Sequence, residues 1–169
     1  TKEGGFENAG SRSYTVAAGS NLIESLPVHS FENDIYQLRV YGPNGFFREY
    51  SGTVADPDVS IICDYERPDK LIKKLSGNID LKIVSLHPNK SIEIEIKDNA
   101  YKNKPIKKTL TKKDFADGDG YSIILNLNKS FGWYDFSVFV KGCNDFKRRY
   151  AGHVETGKAS FTDPFMGRI

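Results

Sequence analysis

The side chains with chemistry to offer are few and scattered. His29, His87 and His153 have no second His or Cys at metal-ligand spacing, so each reads as a solvated or locally bonded imidazole. Asp117-Gly118-Asp119-Gly120 has the residue types of a calcium loop. It lacks the later bidentate Glu and the regular ligand spacing, and a turn before the strand at Tyr121 accounts for it. No serine lies in a G-x-S-x-G elbow, and no glycine cluster follows a strand and opens a helix as a phosphate cradle does. Cys63 alternates with Val59, Ile61 and Tyr65, which makes it an inward thiol on a strand; Cys143 falls in a turn. No spacing pattern supports a bridge between the two cysteines. No catalytic residue, metal ligand or cofactor is assigned.

Composition narrows the function classes without choosing one. The chain has 169 residues, 24 Lys plus Arg against 22 Asp plus Glu, and a net charge of +2. That balance gives no basic field for nucleic acid, and nucleic acid is not expected as a partner. Hydrophobic residues make up 38% and aromatics 12%, with nine tyrosines, eleven phenylalanines and one tryptophan. The sequence has no apolar run long enough for a membrane-spanning helix.

The elements that would position any site follow from a period of two. Ile92, Ile94 and Ile96 alternate with Glu93, Glu95 and Lys97, the pattern of a half-buried antiparallel strand. Tyr36, Leu38 and Val40 alternate with Gln37, Arg39 and Tyr41, and Tyr134, Phe136 and Val138 alternate with Asp135, Ser137 and Phe139. Turn chemistry separates the runs at Gly42-Pro43-Asn44-Gly45, Gly77-Asn78, Pro88-Asn89-Lys90 and Asp117 to Gly120. The lysine-rich stretch from Asp69 to Leu75 reads as a loop or a single turn. The fold class expected is all-β: an immunoglobulin-like antiparallel β-sandwich.

The chain repeats itself at an offset of about a hundred residues, the size of one small domain. Tyr36 to Gly52 and Tyr134 to Gly152 both read as a strand, a Gly/Asn turn and a returning strand carrying Phe-x-Arg-x-Tyr-x-Gly. The second repeat, residues 57–169, is complete, with strands expected near 58–66, 79–86, 91–97, 105–111, 121–128, 133–141 and 146–154. The first, residues 1–56, matches only the last four of these, with strands expected at Arg12 to Val16 and Asn21 to Leu26 before its hairpin. The chain therefore reads as a piece of a longer protein whose first repeat has lost its beginning. A half-sandwich exposes an apolar face and unpaired edges. It would pack on the second repeat or on a second copy of the chain, which makes a homodimer one expectation.

Arg48 and Arg148 occupy equivalent positions, each between a Phe and a Tyr on one strand face: Phe46 and Tyr50, Phe146 and Tyr150. A device present twice reads as architecture, an Arg stem packed between rings with its head on carbonyls. Trp133 reads as a packing anchor, with an exposed ring at a partner surface as the alternative. Phe46, Phe47, Arg48, Trp133, Phe146 and Arg148 are thus the candidate surface or packing positions. The lysines from Lys102 to Lys113 read as a solvated edge strand, or as a weak attraction to anionic lipid.

Val40-Tyr41-Gly42-Pro43-Asn44-Gly45-Phe46, Asp98-Asn99-Ala100-Tyr101 and Gly132-Trp133-Tyr134-Asp135 resemble the C-terminal repeat module of bacterial phosphatidylcholine-type phospholipases C, non-haemolytic and haemolytic. The resemblance is closest at Arg148-Arg149-Tyr150-Ala151-Gly152-His153-Val154-Glu155-Thr156-Gly157, continued by Ser160 and Thr162-Asp163-Pro164. Thr162 departs from the usual Ser there, and Cys143 and Asp145 replace the Pro and Gly of the first turn. The resemblance implies a separate catalytic domain in the same polypeptide, which cleaves phosphatidylcholine to diacylglycerol and phosphocholine, and an extracytoplasmic location. None of that domain's metal-ligand or nucleophile motifs occurs here. Three roles stay open: support of the catalytic domain, docking to a phospholipid surface through Phe46, Phe47 and Phe146 with nearby lysines, and carbohydrate binding.

Overall fold

The computed structural model describes residues 10–69, 74–87, 89–116 and 118–165. Nine strands form among them: β1 (Ile35–Tyr41), β2 (Phe47–Thr53), β3 (Val59–Tyr65), β4 (Ile79–Ser85), β5 (Ile92–Asp98), β6 (Ile106–Leu110), β7 (Tyr121–Leu125), β8 (Trp133–Val140) and β9 (Cys143–His153). One sheet has the order β1-β2-β9-β8-β5-β6 and the other β3-β4-β7. Every pairing is antiparallel. The chain is all-β, two sheets packed as a sandwich, and all seven strands expected of the second repeat form.

The alternation in sequence becomes the two faces of each sheet. Ile79, Leu81 and Ile83 of β4 are fully buried and meet Ile94, Ile96, Phe136, Val138, Phe146 and Tyr150 from the larger sheet. Each such aliphatic side chain contributes about 2 kcal/mol by leaving water. Two tyrosine hydroxyls tie the sheets together: Tyr150 donates to the Ile61 carbonyl at 2.9 Å and Tyr65 to the His153 carbonyl at 3.1 Å.

The first repeat departs from expectation in one respect. The residues 12–16 and 21–26 form no strand, and Tyr14, Val16, Leu22 and Ile23 are exposed. Their alternation suits a strand, but no described strand lies alongside to take their backbone hydrogen bonds. Arg12 and Tyr14 instead bond the Glu24 carboxylate, which holds the two stretches to each other. The hairpin of that repeat is not left open at its inner edge, because β2 pairs with β9 of the second repeat.

The two repeat turns differ in shape. The first spans 42–46 and is closed by Gly42 N–H donating to Phe46 O at 2.8 Å, with Asn44 and Gly45 left-handed. The second is only Lys141-Gly142, beside an irregularity between Phe139 and Val140. Cys143 therefore opens β9 rather than sitting in the turn. Cys63 and Cys143 are both free thiols. Burial against the core pushes the Cys63 thiol up to about 12. The stretch expected as a loop or single turn at 69–75 lies largely outside the described residues, as do Pro88 and Asp117.

The last residue of the repeated Phe-x-Arg-x-Tyr-x-Gly is glycine for a reason of space. A Cβ on Gly152 would stand 2.9 Å from the Tyr134 hydroxyl, and one on Gly52 would collide with the Asp56 carboxylate. Gly152→Ala should therefore push the Tyr134 ring aside and cost about 1–3 kcal/mol, read as a lowered urea midpoint; an unchanged midpoint would show that the ring yields freely.

Candidate functional site

Strands β2 and β9 lie antiparallel with Arg48 opposite Tyr150, Glu49 opposite Arg149 and Tyr50 opposite Arg148. The two repeated sequences thus meet about a local pseudo-twofold axis at the Glu49–Arg149 pair. Because residues two apart share a face, Arg48, Tyr50, Arg148 and Tyr150 all point to the interior side of this seam.

Each arginine reaches across the seam into the other repeat. Arg48 donates to the carbonyls of Phe47 at 2.8 Å and Ala151 at 3.0 Å and to the Tyr134 hydroxyl at 3.1 Å. Arg148 makes the matching set: the carbonyls of Lys147 at 3.1 Å and Ser51 at 2.6 Å and the Tyr36 hydroxyl at 2.7 Å. Each guanidinium also stacks on the Phe two residues before it in its own repeat, Arg48 on Phe46 at 4.2 Å and Arg148 on Phe146 at 4.0 Å. The tyrosine faces come from the opposite repeat, Tyr150 at 5.2 Å for Arg48 and Tyr50 at 5.8 Å for Arg148. The sequence suggested that each Arg sits between the Phe and the Tyr of its own strand. The pairing instead crosses, because the sheet continues through the seam and brings the opposite Tyr over the guanidinium.

The two arginines differ in one partner. Arg148 also bonds the Asp56 carboxylate at 3.1 Å, and Asp56 takes the Thr53 N–H at 2.8 Å and the Tyr36 hydroxyl. The link between the repeats is thereby wired to the seam. Arg48 has no carboxylate partner among the described residues and is held by carbonyls, a hydroxyl and three rings. Burial raises the Tyr134 hydroxyl to about 12 even against the opposing pull of Arg48, and burial raises Tyr36 to about 12 as well. Both stay protonated hydroxyls across the physiological range.

The opposite face carries a charge ladder. Glu49, 4% exposed, accepts from Lys147 at 2.9 Å and Arg39 at 3.3 Å. Arg149 holds Asp135 by two bonds of 2.8 and 2.6 Å, and Asn99 adds a third at 2.8 Å. Burial alone would raise the Glu49 carboxyl, but the hydrogen bond and charge of Lys147 and the charge of Arg39 outweigh it and leave it below the usual range.

The six sequence candidates divide by this geometry. Phe146 is 1% exposed and belongs to the core, so it cannot reach a lipid surface. Phe46 is half-buried under Arg48, and Phe47 is half-buried between Tyr41 at 5.0 Å and Arg149 at 5.2 Å. Arg48 and Arg148 form the seam. Trp133 is half-buried, and its indole N–H donates to the Phe161 carbonyl at 2.9 Å. Tyr14 and Tyr41 stand exposed, at 53% and 72%, and so do Phe131 and Phe161, at 47% and 67%, which pair with ring centroids 4.7 Å apart. Phe131 carries a left-handed φ of 56°, a costly conformation for a bulky residue, which the following turn imposes. The sequence held no periodic signal for this pair, since one ring sits in a turn and the other in an irregular tail.

That tail explains the run after β9. His153 is buried against the Trp133 ring at 4.7 Å, with Glu155 at 3.2 Å from Nδ1 and Ser160 Oγ at 2.8 Å and Phe131 O at 3.1 Å from Nε2. Further on, Tyr101 of the Asp-Asn-Ala-Tyr segment donates to Asp163 at 3.2 Å and packs edge-on against Phe165 at 5.5 Å. Asp98 turns that segment by accepting the N–H groups of Ala100 and Tyr101 at 2.9 and 2.7 Å. Among the described residues no three His, Cys, Asp or Glu side chains gather as a metal site.

A family model described as the bacterial phospholipase C C-terminal domain matches in two segments, residues 2–53 and 57–153. The chain belongs to this family. It is similar to a non-haemolytic phospholipase C of Pseudomonas aeruginosa, 33% identical over 168 residues covering 91% of this chain and 21% of that protein. A non-haemolytic phospholipase C of Burkholderia pseudomallei is 32% identical, covering 90% of this chain and 21% of the relative. A haemolytic phospholipase C of Pseudomonas aeruginosa is 33% identical, covering 79% of the chain and 17% of the relative. The chain thus spans about a fifth of the length of these curated relatives. In this phospholipase C C-terminal domain, the two matched segments are the two repeats that meet at β2 and β9.

Two outcomes follow from the seam. Each guanidinium reaches the carbonyls through one nitrogen and the hydroxyl through the other, a planar fork that a single ammonium nitrogen does not reproduce, so Arg48→Lys and Arg148→Lys should each cost about 2 kcal/mol in urea unfolding. The double variant should be non-additive, because the sites share the edge-on Tyr50–Tyr150 pair at 6.3 Å; strictly additive losses would contradict a shared network. Glu49, with its folded pKa depressed, adds stability that is complete above the unfolded carboxyl value of about 4.3 and lost as pH falls through the folded value. Glu49→Gln should consequently flatten the acid side of the stability profile between neutral pH and pH ~3, and a profile as steep as the unaltered protein's would remove Glu49 from that role.

Proposed function

We propose that this domain is a non-catalytic accessory module of a bacterial phospholipase C and supports a separate catalytic domain of the same polypeptide, which cleaves phosphatidylcholine to diacylglycerol and phosphocholine outside the cytoplasm. The observation that carries the reading is that its chemically capable side chains are spent on holding the fold. Arg48 and Arg148 bind carbonyls and rings across the seam. The nearest approach to a nucleophile with a base is Ser160 and His153, 2.8 Å apart. His153 Nε2 also lies 3.1 Å from the Phe131 carbonyl, which the Ser160 hydroxyl itself reaches at 3.3 Å, and Nδ1 lies 3.2 Å from the Glu155 carboxylate. These contacts fasten the tail to the turn at Phe131 and direct the serine hydroxyl to a backbone carbonyl, a packing role for both side chains. The relatives' names and the family description support the phospholipase C part of the reading.

A second reading rests on the exposed Phe131–Phe161 pair: the module touches a phospholipid surface, with these rings rather than Phe46 or Phe146 entering it. Removing the equivalent region from a phospholipase C that carries it tests both. Under the accessory reading the shortened enzyme unfolds at a lower temperature and yields less soluble protein, while head-group preference stays the same, and the separate module hydrolyses no phosphatidylcholine. Hydrolysis by the module alone would overturn it. Under the second reading the module sediments with phosphatidylcholine vesicles and Phe131→Ala with Phe161→Ala abolishes this; no sedimentation rejects that reading.

A further inference from the structure

The sandwich has one open side. Strand β6 pairs only with β5 and β7 only with β4, so the edges of the two sheets face each other without backbone pairing between them. At one end the gap is closed, where the Lys108 ammonium lies 5.0 Å from the centre of the Tyr121 ring. At the other end it opens into a pocket of about 350 Å³. Its lining includes core side chains: Ile96, Leu127, Tyr134 and Phe136, each no more than 6% exposed. Ile106, 37% exposed, stands at the mouth as the inward-facing residue of the edge strand.

The rim is polar, and its carboxylates are already engaged. Asp98 accepts four N–H groups from Ala100, Tyr101 and Asn103, and Asp135 is held by Arg149 and Asn99. Lys104, also on the rim, makes no hydrogen bond or ion pair among the described residues. Lys104 is the rim cation without a carboxylate partner among the described residues, set beside two carboxylates of which Asp135 is paired with Arg149, and it is the group that can meet the anionic end of an apolar chain. The volume is at the small end of ligand pockets, about 300–1,000 Å³, and holds on the order of a dozen groups the size of a water molecule.

We propose that this pocket binds a free single-chain anionic amphiphile, a medium-chain carboxylate, with its hydrocarbon between β6 and β7 and its head at Lys104. The site belongs to this domain alone and does not depend on the accessory reading above. The test is calorimetric titration of the 169-residue chain with octanoate, nonanoate and decanoate as monomers. One saturable site is expected, with affinity rising about fourfold per added methylene as each leaves water. Amide chemical shifts should move at Ile96, Leu127 and Phe136. Ile106→Glu, at a partly exposed position, should weaken decanoate at least tenfold without lowering the unfolding temperature. Lys104→Glu should weaken decanoate but leave decanol unchanged, and it keeps the test alive should the Ile106 variant fold poorly. Absence of saturation, affinity independent of chain length, or shifts confined to Phe131 and Phe161 would each overturn the proposal.

Discussion

Two arginines that trade places across a β-strand seam, Arg48 buried and Arg148 half-buried, set the constraint on which the rest of this domain depends. A guanidinium taken from water needs donors satisfied on every side, and no single repeat supplies enough acceptors. The carbonyls of Ala151 and Ser51 and the hydroxyls of Tyr134 and Tyr36 come from the opposite repeat in each case. The stacked Phe comes from the arginine's own repeat. Neither repeat can satisfy its arginine alone, so the six-stranded sheet is specified as well as stabilised. The glycine that ends each repeated motif gives the tyrosine or the carboxylate room to reach its place.

From this seam the polar wiring runs outward. Asp56 ties the link between repeats to Arg148, and Arg149 carries the ladder through Asp135 to Asn99. The irregular tail is fastened by Trp133, His153 and Tyr101, all donated or shared by side chains of the second repeat. The Asp-Asn-Ala-Tyr segment and the stretch from His153 to Asp163 are distant in sequence and meet to clamp the tail along the end of the sandwich. Residue types that elsewhere do chemistry are here consumed by hydrogen bonds. This is the physical ground for the accessory role proposed above. The open side between β6 and β7 is the exception, an apolar interior with an unengaged cation at its mouth.

The strands were legible because a half-buried strand must alternate. Ile94 and Ile96 against Glu93 and Glu95 could serve only a sheet with one wet face, and β5 formed where the alternation lay. The same reasoning failed at Tyr14 to Val16 and Leu22 to Leu26, where alternation is present but no strand lies alongside to complete the ladder. The repeated arginines were legible as architecture from their recurrence. Their partners were not, since the nearest aromatic in sequence, Tyr50 for Arg48, is displaced by Tyr150 once β2 lies beside β9. Phe146 looked like a turn-tip ring and proved to be core, because the second turn is tighter than the first and draws that residue into the strand.

The sequence by itself determined an all-β sandwich, its repeat, its family and the positions that matter at the seam, since periodicity, turn residues and recurrence are local properties of a chain. Only the tertiary structure decided which repeat supplies which partner, which phenylalanines are wet and where the sandwich stays open. Those depend on sheet order, and the order β1-β2-β9-β8-β5-β6 joins residues about a hundred positions apart through backbone hydrogen bonds that any sequence can make.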